Sequence, residues 1–172
     1  MTEQRGVMLD MNMPALYIEI NIAQQQLHLI GATPRCYSIS SALNGVGEQE
    51  GSGCTPRGQH IIRDKIGAQQ PLNSVFVGRQ PTGEIYNAEL AAQFPQRDWI
   101  LSRILWLDGG QPGFNQGAGC DTYQRYIYIH GTPDTEPMGI AKSHGCIRMR
   151  NHDMIELFDL VSVGTRVNII EK

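Results

Sequence analysis

The chain has 172 residues, of which 41% are hydrophobic and 18% charged, and its formal net charge at pH 7 is −3. This length suits one domain with its own hydrophobic core. Charges of both signs are interspersed and form no basic stripe, so nucleic acid is not an expected partner. The four cysteines, Cys36, Cys54, Cys120 and Cys146, show no CxxC spacing. They are better explained as free thiols than as a disulfide framework or a zinc site.

Residues 1–14 are predicted to form a loose lead-in that ends at Pro14, before a single domain over residues 15–172. The lead-in has no basic segment running into an apolar one, and no window of the chain approaches the length of a membrane span. We therefore expect a cytoplasmic protein without a membrane span, and a periplasmic one if an export signal has been removed.

Alternating apolar and polar residues predict short strands in the first half of the chain. The predicted strands cover residues 16–22, 26–30, 35–41, 59–66 and 74–78. Residues 43–55 combine Gly and Asn with polar side chains and predict a loop. Residues 88–93 predict one helical turn before Pro95.

Residues 99–107, WILSRILWL, form the most apolar window. Helical and strand periods both fit it, but its aromatic and β-branched residues and the glycine pair that follows favour a strand. Residues 109–119 predict a Gly-rich loop, which we interpret as a flap over the functional site. Cys120 is interpreted as a packing residue.

At the end of the chain, Asn151 is predicted to cap a helix with apolar residues at helical spacing, and residues 165–169 alternate as a last strand. Many short strands, Gly-rich turns and one well-marked helix predict a mainly β, sandwich-like domain with one or two short helices.

The segment 126–151, YIYIHGTPDTEPMGIAKSHGCIRMRN, brings a histidine, a Gly-rich bend and a cysteine together. A side-chain period of two places the two isoleucines of the YIYIH strand on the core side and Tyr126, Tyr128 and His130 on the other side. Because each of these three carries a polar group, their side of the strand suits the wall of a cleft.

A cysteine attacks as the thiolate, and a nearby imidazole can take its proton. The loop between His130 and Cys146 can fold back and bring the two side chains within hydrogen-bond reach. Gly145 permits a positive-φ turn that aims backbone N–H groups at one point, as an oxyanion hole requires. In an extended segment Arg148 shares the face of the thiol, where it could hold a substrate carboxylate.

The residues alone leave other interpretations open. A lone cysteine is more often a small buried hydrophobe than a nucleophile. A zinc hydrolase would use His130, His144 and Cys146 as ligands, with His152 also near. A non-catalytic binding module is a further alternative, but it would gain nothing from this Cys/His arrangement.

The pattern HGT at residues 130–132 followed by SHGCIRM at 143–149 resembles the signature of the L,D-transpeptidase catalytic domain (YkuD-type) family. The resemblance extends to TPRGQHII at residues 55–62, where His60 stands at a position that is usually aromatic. An opening hairpin at 18–29 and a closing helix and strand at 151–170 also resemble the family. It therefore covers nearly the whole chain beyond the first dozen residues.

The resemblance implies a β-sandwich with the cysteine at the edge of a cleft, and a two-step acyl transfer. Cys146 would be the nucleophile and His130 the base, with the imidazole oriented by the carbonyl of Gly131. The N–H groups of Gly145 and Cys146, with His144, would stabilise the oxyanion. No metal or other cofactor is implied.

Five residues are candidate substrate contacts in this interpretation: Arg148, Ser143, Tyr128, Arg103 and Trp106. Ser143 would also shape the turn before the cysteine, and Arg148 would hold either a substrate carboxylate or the local fold. The alternative for Trp106 is a place in the core, and for Arg103 that of a solvated partner beside it.

The family's substrate class is the tetrapeptide stem of peptidoglycan, cleaved between a meso-diaminopimelate at the third position and the terminal D-alanine. Water as acceptor would make the protein an L,D-carboxypeptidase that trims muropeptides or precursors. An amine would make it an L,D-transpeptidase that forms cross-links or attaches proteins to the cell wall. The absence of a signal favours hydrolysis. The resemblance also predicts that carbapenems acylate Cys146.

Overall fold

The computed structural model describes residues 14–172, which form ten strands and two short helices. The elements are β1 (Tyr17–Asn21), β2 (Gln26–Ile30), β3 (Arg35–Ser40), β4 (Gly58–Ile66), β5 (Ser74–Val77), β6 (Gln80–Ile85), α1 (Ala88–Gln93), β7 (Ile100–Gly109), β8 (Tyr128–Thr132), β9 (Ile147–Arg150), α2 (Asn151–Leu160) and β10 (Arg166–Ile170). The lead-in predicted for residues 1–14 lies outside the described residues except for Pro14, and the domain boundary stays a prediction.

All ten strands belong to one sheet, in the order β4-β10-β1-β2-β3-β9-β8-β7-β5-β6. A further pairing of β4 with β7 closes this order into a ring, and the β5–β6 hairpin lies outside it. The pairs β1–β10 and β8–β9 are parallel, and the other pairs are antiparallel. The mainly β fold with short helices is thereby confirmed, and the barrel-like closure of the sheet is an additional feature.

One hydrophobic core fills the ring. The buried residues of the strands alternate in sequence, as Ile18 and Ile20 do in β1 and Leu27 and Leu29 do in β2. Helix α2 packs against β7, β8 and β9 and buries Met154, Leu157 and Phe158 in the same core. The helix therefore supports β8, which carries the HGT motif, and β9, which directly follows the SHGC motif.

The predicted strands, the loop at 43–55 and the helical turn at 88–93 all occur close to their predicted positions. Strand β6 was not predicted, because its sequence QPTGEI contains Pro and Gly and shows no alternation. Its residues are mostly exposed, and the strand is defined by its antiparallel pairing with β5.

Two predictions about polar segments are wrong. Helix α2 has no side-chain cap at its start, because the amide of Asn151 points into the protein instead. The loop 109–119 does not cover the functional site. Its buried Asn115 donates to the carbonyl oxygens of Arg57 and Gln59, which holds the loop against the start of β4.

Candidate active site

Strands β8 and β9 lie side by side and parallel, with Ile129 opposite Ile147 and His130 opposite Arg148. Both isoleucines belong to the core. The alternate positions, which include Tyr128, His130, Cys146 and Arg148, line a cavity of about 330 Å³. The predicted division of the strand into a core side and a cleft side agrees with this arrangement, and we call this space the central cavity.

The thiol of Cys146 is hydrogen-bonded to backbone groups at the start of β8. Its Sγ lies 3.3 Å from the N–H of Tyr128, which donates to it, and 3.4 Å from the carbonyl oxygen of Tyr126. Burial raises the pKa of the thiol to about 12, although the Tyr128 N–H acts in the opposite direction. The resting side chain is therefore a neutral thiol.

The imidazole of His130 is fixed by the residue that follows it. Its Nδ1 lies 2.6 Å from the carbonyl oxygen of Gly131, and the side chain is almost completely buried. Burial lowers the pKa of His130 below the usual value, against the opposing effect of the Gly131 hydrogen bond. Because a carbonyl only accepts, Nδ1 carries the proton and Nε2 is left as a basic nitrogen.

His130 and Cys146 share the central cavity but are not hydrogen-bonded to each other. The thiol bonds to the backbone of residues 126 and 128 instead. Sγ must therefore exchange these backbone partners for Nε2 before a proton can pass to the imidazole.

Gly131 occupies a place where no other residue fits. A Cβ atom there would collide with Oδ1 of Asn151 and with the carbonyl oxygen of Leu101. Asn151 is held by Ser102, whose Oγ donates to Oδ1 at 2.7 Å, and its own Nδ2 donates to the carbonyl oxygen of Thr132 at 2.8 Å. Ser102 lies at a bulge of β7 with a φ of 69°, a strained conformation that this buried network maintains.

Sequence analysis missed Ser102 and Asn151 as support for the histidine. The two polar residues sit in an otherwise apolar strand and at a helix start, and a cap is the more common explanation of an asparagine at that place.

The turn before the cysteine is built on side-chain hydrogen bonds. Gly145 has a φ of 139°, and its N–H donates to Oγ of Ser143 at 3.2 Å, while that hydroxyl donates to the carbonyl oxygen of Cys146. Oγ1 of Thr55 donates to the carbonyl oxygen of Gly145 at 2.9 Å. The expected oxyanion role of the Gly145 N–H is not met in this arrangement, because that N–H is already engaged by Ser143.

Arg148 lines the central cavity, but carboxylates surround its guanidinium. Nη2 lies 3.1 Å from Asp98 and Nη1 lies 3.6 Å from Glu136. His144 is largely exposed, with Nδ1 at 3.8 Å from the same Asp98. Of the two roles expected for Arg148, this geometry favours holding the local fold.

The structure separates the other two candidate contacts, Arg103 and Trp106, from the lining of the cavity. Arg103 is buried, donates to the carbonyl oxygens of Gln70 and Ser102, and lies over the ring of Phe158. The bulge in β7 turns its side chain toward α2, so the prediction of a substrate contact is wrong for this residue. Trp106 stands behind Tyr128, with which it makes an edge contact, and does not itself line the cavity.

Two further arginines at the cavity, Arg79 and Arg125, were not predicted. The guanidinium of Arg125 donates hydrogen bonds to the carbonyl oxygens of Gly47 and Cys54, and burial lowers the pKa of Arg125. Arg79 reaches the site through contacts between distant parts of the chain, for which the sequence carries no local signal, whereas Arg125 directly precedes the segment 126–151.

Within residues 14–172, no three His, Cys, Asp or Glu side chains converge as metal ligands would, so His130, His144 and Cys146 do not form a ligand set. Neither helix of this region has the length and apolarity needed to cross a membrane.

The closed β fold and the paired HGT and SHGC segments define a protein of the L,D-transpeptidase type. A model described as the L,D-transpeptidase catalytic domain, YkuD, matches residues 15–169, and the chain belongs to this family.

Curated relatives agree with this family. The chain is 48% identical over 111 residues to the probable L,D-transpeptidase YbiS of Escherichia coli K12, covering 63% of this chain and 35% of that protein. It is 56% identical over 90 residues to the putative L,D-transpeptidase YkuD of Bacillus subtilis 168, covering 52% of this chain and 44% of that protein. The alignments thus span less than half of each relative.

Solved structures show the same fold. L,D-transpeptidase 3 from Mycobacterium tuberculosis, in complex with a faropenem-derived adduct, has a TM-score of 0.55 at 16% identity, covering 92% of this chain and 61% of that one. The L,D-transpeptidase LdtMt1 in complex with imipenem has a TM-score of 0.52 at 16% identity, covering 91% and 59%. At these identities the likeness concerns the fold.

Proposed function

We propose that the protein is a cysteine-dependent L,D-acyl transfer enzyme acting on peptidoglycan tetrapeptide stems. The observation that carries this proposal is the pairing of a thiol and a basic imidazole nitrogen in one cavity, with the histidine tautomer fixed by the Gly131 carbonyl. The substrate class is taken from the family, and the chemistry is taken from the side chains.

In the first step Nε2 of His130 accepts the proton of Cys146 while Sγ attacks the carbonyl carbon of the meso-diaminopimelate residue. Because the pKa of the thiol is raised and that of the imidazole is lowered, the proton moves with the attack rather than in a resting ion pair. The C–N bond to D-alanine then breaks, the imidazolium gives its proton to the leaving amine, and a thioester remains.

The developing oxyanion needs donors other than Gly145. The backbone N–H groups of Cys146 and His144 are our candidates, since both belong to the turn that presents the thiol. Ser143 would stabilise this turn through its bonds to Gly145 and to the Cys146 carbonyl.

We favour water as the acceptor, which makes the reaction that of an L,D-carboxypeptidase. The thiol lies in a cavity that opens to solvent beside the exposed His144, so water can reach the thioester. His130 would take a proton from this water, and Cys146 would leave as the thiol, giving a tripeptide.

A second acceptor, the amine of another stem, is favoured by one specific observation. An adjoining cavity of about 150 Å³ contains the carboxylates of Asp98 and Glu136 beside Arg148 and His144. Carboxylates at this position could attract an ammonium group, and transfer of the acyl group to its amine form would make the protein an L,D-transpeptidase.

The cytoplasmic location expected from the sequence stays a prediction.

Mass spectrometry of the products tests the proposal. The protein is incubated with a disaccharide-tetrapeptide, with and without an acceptor stem, beside Cys146→Ala. Loss of one D-alanine, unchanged by the acceptor, supports hydrolysis, whereas a dimer joined through two diaminopimelates supports transpeptidation. Absence of product from the wild type, or equal product from Cys146→Ala, overturns the thioester mechanism.

A carbapenem provides a second test that needs no natural substrate. One structural relative is in complex with imipenem, and we propose that this carbapenem acylates Cys146 of this chain. The intact protein should gain the mass of one imipenem, and Cys146→Ala should gain none. A wild type that gains no mass would contradict the proposal.

A further inference from the structure

Arg79 lies at the tip of the β5–β6 hairpin, where it lines the central cavity. Val77 pairs with Gln80, so the turn has two residues, Gly78 and Arg79, with φ values of 56° and 65°. A turn with both central residues at positive φ favours Asn or Gly at these positions. Arg79 therefore adopts a backbone conformation that arginine disfavours.

Four aromatic residues, Trp106, Tyr123, Tyr126 and Tyr128, form what we call the aromatic shelf. Each tyrosine ring contacts Trp106, which is stacked on Tyr123 at 3.9 Å between ring centres, tilted to Tyr126 at 5.9 Å and edge-on to Tyr128 at 5.7 Å. The guanidinium of Arg79 lies over this shelf, 4.8 Å from the ring centres of both Trp106 and Tyr126. The rings hold the cation by cation–π attraction without neutralising it.

Most N–H groups of Arg79 remain available to a ligand. Within residues 14–172 its guanidinium makes one hydrogen bond, from Nη1 to the hydroxyl of Tyr128 at 3.1 Å, and it has no carboxylate within ion-pair distance. The other two arginines of the cavity are occupied, Arg148 by Asp98 and Arg125 by backbone carbonyls.

Arg79 is also close to the reacting atom. Two of the shelf residues that contact it, Tyr126 and Tyr128, are the ones whose backbone carbonyl and N–H bond to Sγ of Cys146. The cavity also contains Asp98, whose carboxylate pairs with Arg148 and would repel an anion from that part of the cavity. A negatively charged substrate group would therefore turn toward Arg79.

We propose that Arg79 determines specificity by binding a carboxylate of the substrate, in a position preorganised by the aromatic shelf. The substrate class is thus a peptide with a free carboxylate close to the carbonyl that Cys146 attacks. This inference rests on the proposed function. A tetrapeptide stem offers two such groups, the terminal D-alanine carboxylate and the side-chain carboxylate of the third residue.

Steady-state kinetics with three tetrapeptides tests the inference: the free acid, the C-terminal amide and the side-chain amide. Arg79→Gln should raise KM for the free acid about tenfold and change kcat less than about threefold, because a charge-assisted hydrogen bond is lost. One of the two amides should raise KM of the wild type about tenfold and leave KM of Arg79→Gln unchanged. The group that is blocked in this amide is then the carboxylate that Arg79 binds.

Arg63→Gln is the matched control. Arg63 lies over the other end of the aromatic shelf, 4.1 Å from the ring centre of Tyr123, and is paired with Asp108 outside the cavity. This variant should keep the wild-type KM for all three peptides. An unchanged KM for Arg79→Gln, or equal sensitivity of the wild type and Arg79→Gln to both amides, would overturn the inference.

Binding without turnover separates this inference from the proposed function. Titration calorimetry with the free-acid tetrapeptide compares Cys146→Ala with Cys146→Ala/Arg79→Gln. A loss of affinity of about tenfold in the double variant supports the carboxylate contact even if the wild type proves to be inactive. Equal affinity of the two proteins refutes it, and thermal unfolding checks that both are folded.

Discussion

The central cavity has two sides of different construction. On one side, His130 and Cys146 lie on or beside strands β8 and β9, whose residues are buried with the exception of the half-buried Arg150. On the other side, Arg79 lies on the β5–β6 hairpin, and β6 is mostly exposed. The first side has a parallel strand ladder, a core and a helix behind it, whereas the hairpin is paired to the ring by two residues of β5.

In the proposed mechanism, this difference separates the reacting groups from the group that recognises the substrate. Groups that move a proton must keep their relative positions closely, and here main-chain pairing and a carbonyl fix them. A group that selects a substrate can lie on an exposed turn, where its replacement leaves the core intact. We therefore expect changes on the β8–β9 side to affect kcat or folding, and changes on the hairpin side to affect KM.

The largest expected effect is that of Cys146→Ala. Without the thiol no thioester can form, so kcat/KM for the tetrapeptide should fall by at least about a thousandfold. The matched control is Cys36→Ala, which alters an exposed thiol on β3 and should leave the rate unchanged. Activity retained in Cys146→Ala would place the nucleophile elsewhere.

Gly131→Ala should disrupt the β8–β9 side through its backbone. The added Cβ collides with Asn151 and with the Leu101 carbonyl, so we expect a loss of about 3 kcal/mol in the free energy of unfolding. Gly83→Ala on β6 is the control, because its φ is 85° but no atom lies within 4 Å of the new Cβ. It should cost only about 1 kcal/mol. Denaturant titration measures both, and equal losses would contradict the comparison.

Mild acid should destabilise the fold through its two buried histidines, His60 and His130. Burial lowers the pKa of His60 to about 4, and its ring bonds to the Gly58 carbonyl and the Thr122 hydroxyl. Burial also lowers the pKa of His130. Below about pH 6.5 the unfolded chain binds protons that the folded protein does not, so stability falls as the pH decreases toward the folded pKa.

For His60 alone, the loss between pH 7 and pH 5 should be about 2 kcal/mol. Denaturant unfolding at the two pH values measures it. His60→Phe removes this titration, and its stability should depend less on pH than that of the wild type. A wild type as stable at pH 5 as at pH 7 would show that both histidines are protonated within the fold.

The smallest effect is expected from Glu84→Gln on the hairpin. Glu84 pairs with Arg97 at 2.8 Å, and the guanidinium of Arg97 in turn lies over Trp99. Ion pairs at the surface contribute little, so the midpoint of thermal unfolding should change by less than about 2 °C. A larger shift would mean that the hairpin is held more firmly than its exposure suggests.

Much of the fold and the core of the site could be predicted because they depend on local periodicity. A period of two puts Tyr128 and His130 on one face, and the same rule puts Arg148 on the face of Cys146. These positions require only that both segments are extended, which their composition already indicates.

What could not be predicted depends on contacts between distant segments. An asparagine at position 151 suits a helix cap as well as a buried hydrogen-bonding role. The bulge at Ser102, whose hydroxyl donates to Asn151, has no signature in an apolar strand. The same bulge turns Arg103 away from the cavity. Arg79 reaches the site because the hairpin joins the ring at β7, a pairing that no local pattern specifies.

The closure of the sheet through β4 and β7 also determines where another chain could add a strand. Among the strands that the structure describes, β6 pairs only with β5 and so presents a free edge. Pro81 cannot donate a backbone hydrogen bond there, Gly83 at positive φ interrupts the extended backbone, and Glu84 adds a charge. Such features make an edge a poor template for further pairing, so β6 protects the protein against edge-to-edge aggregation.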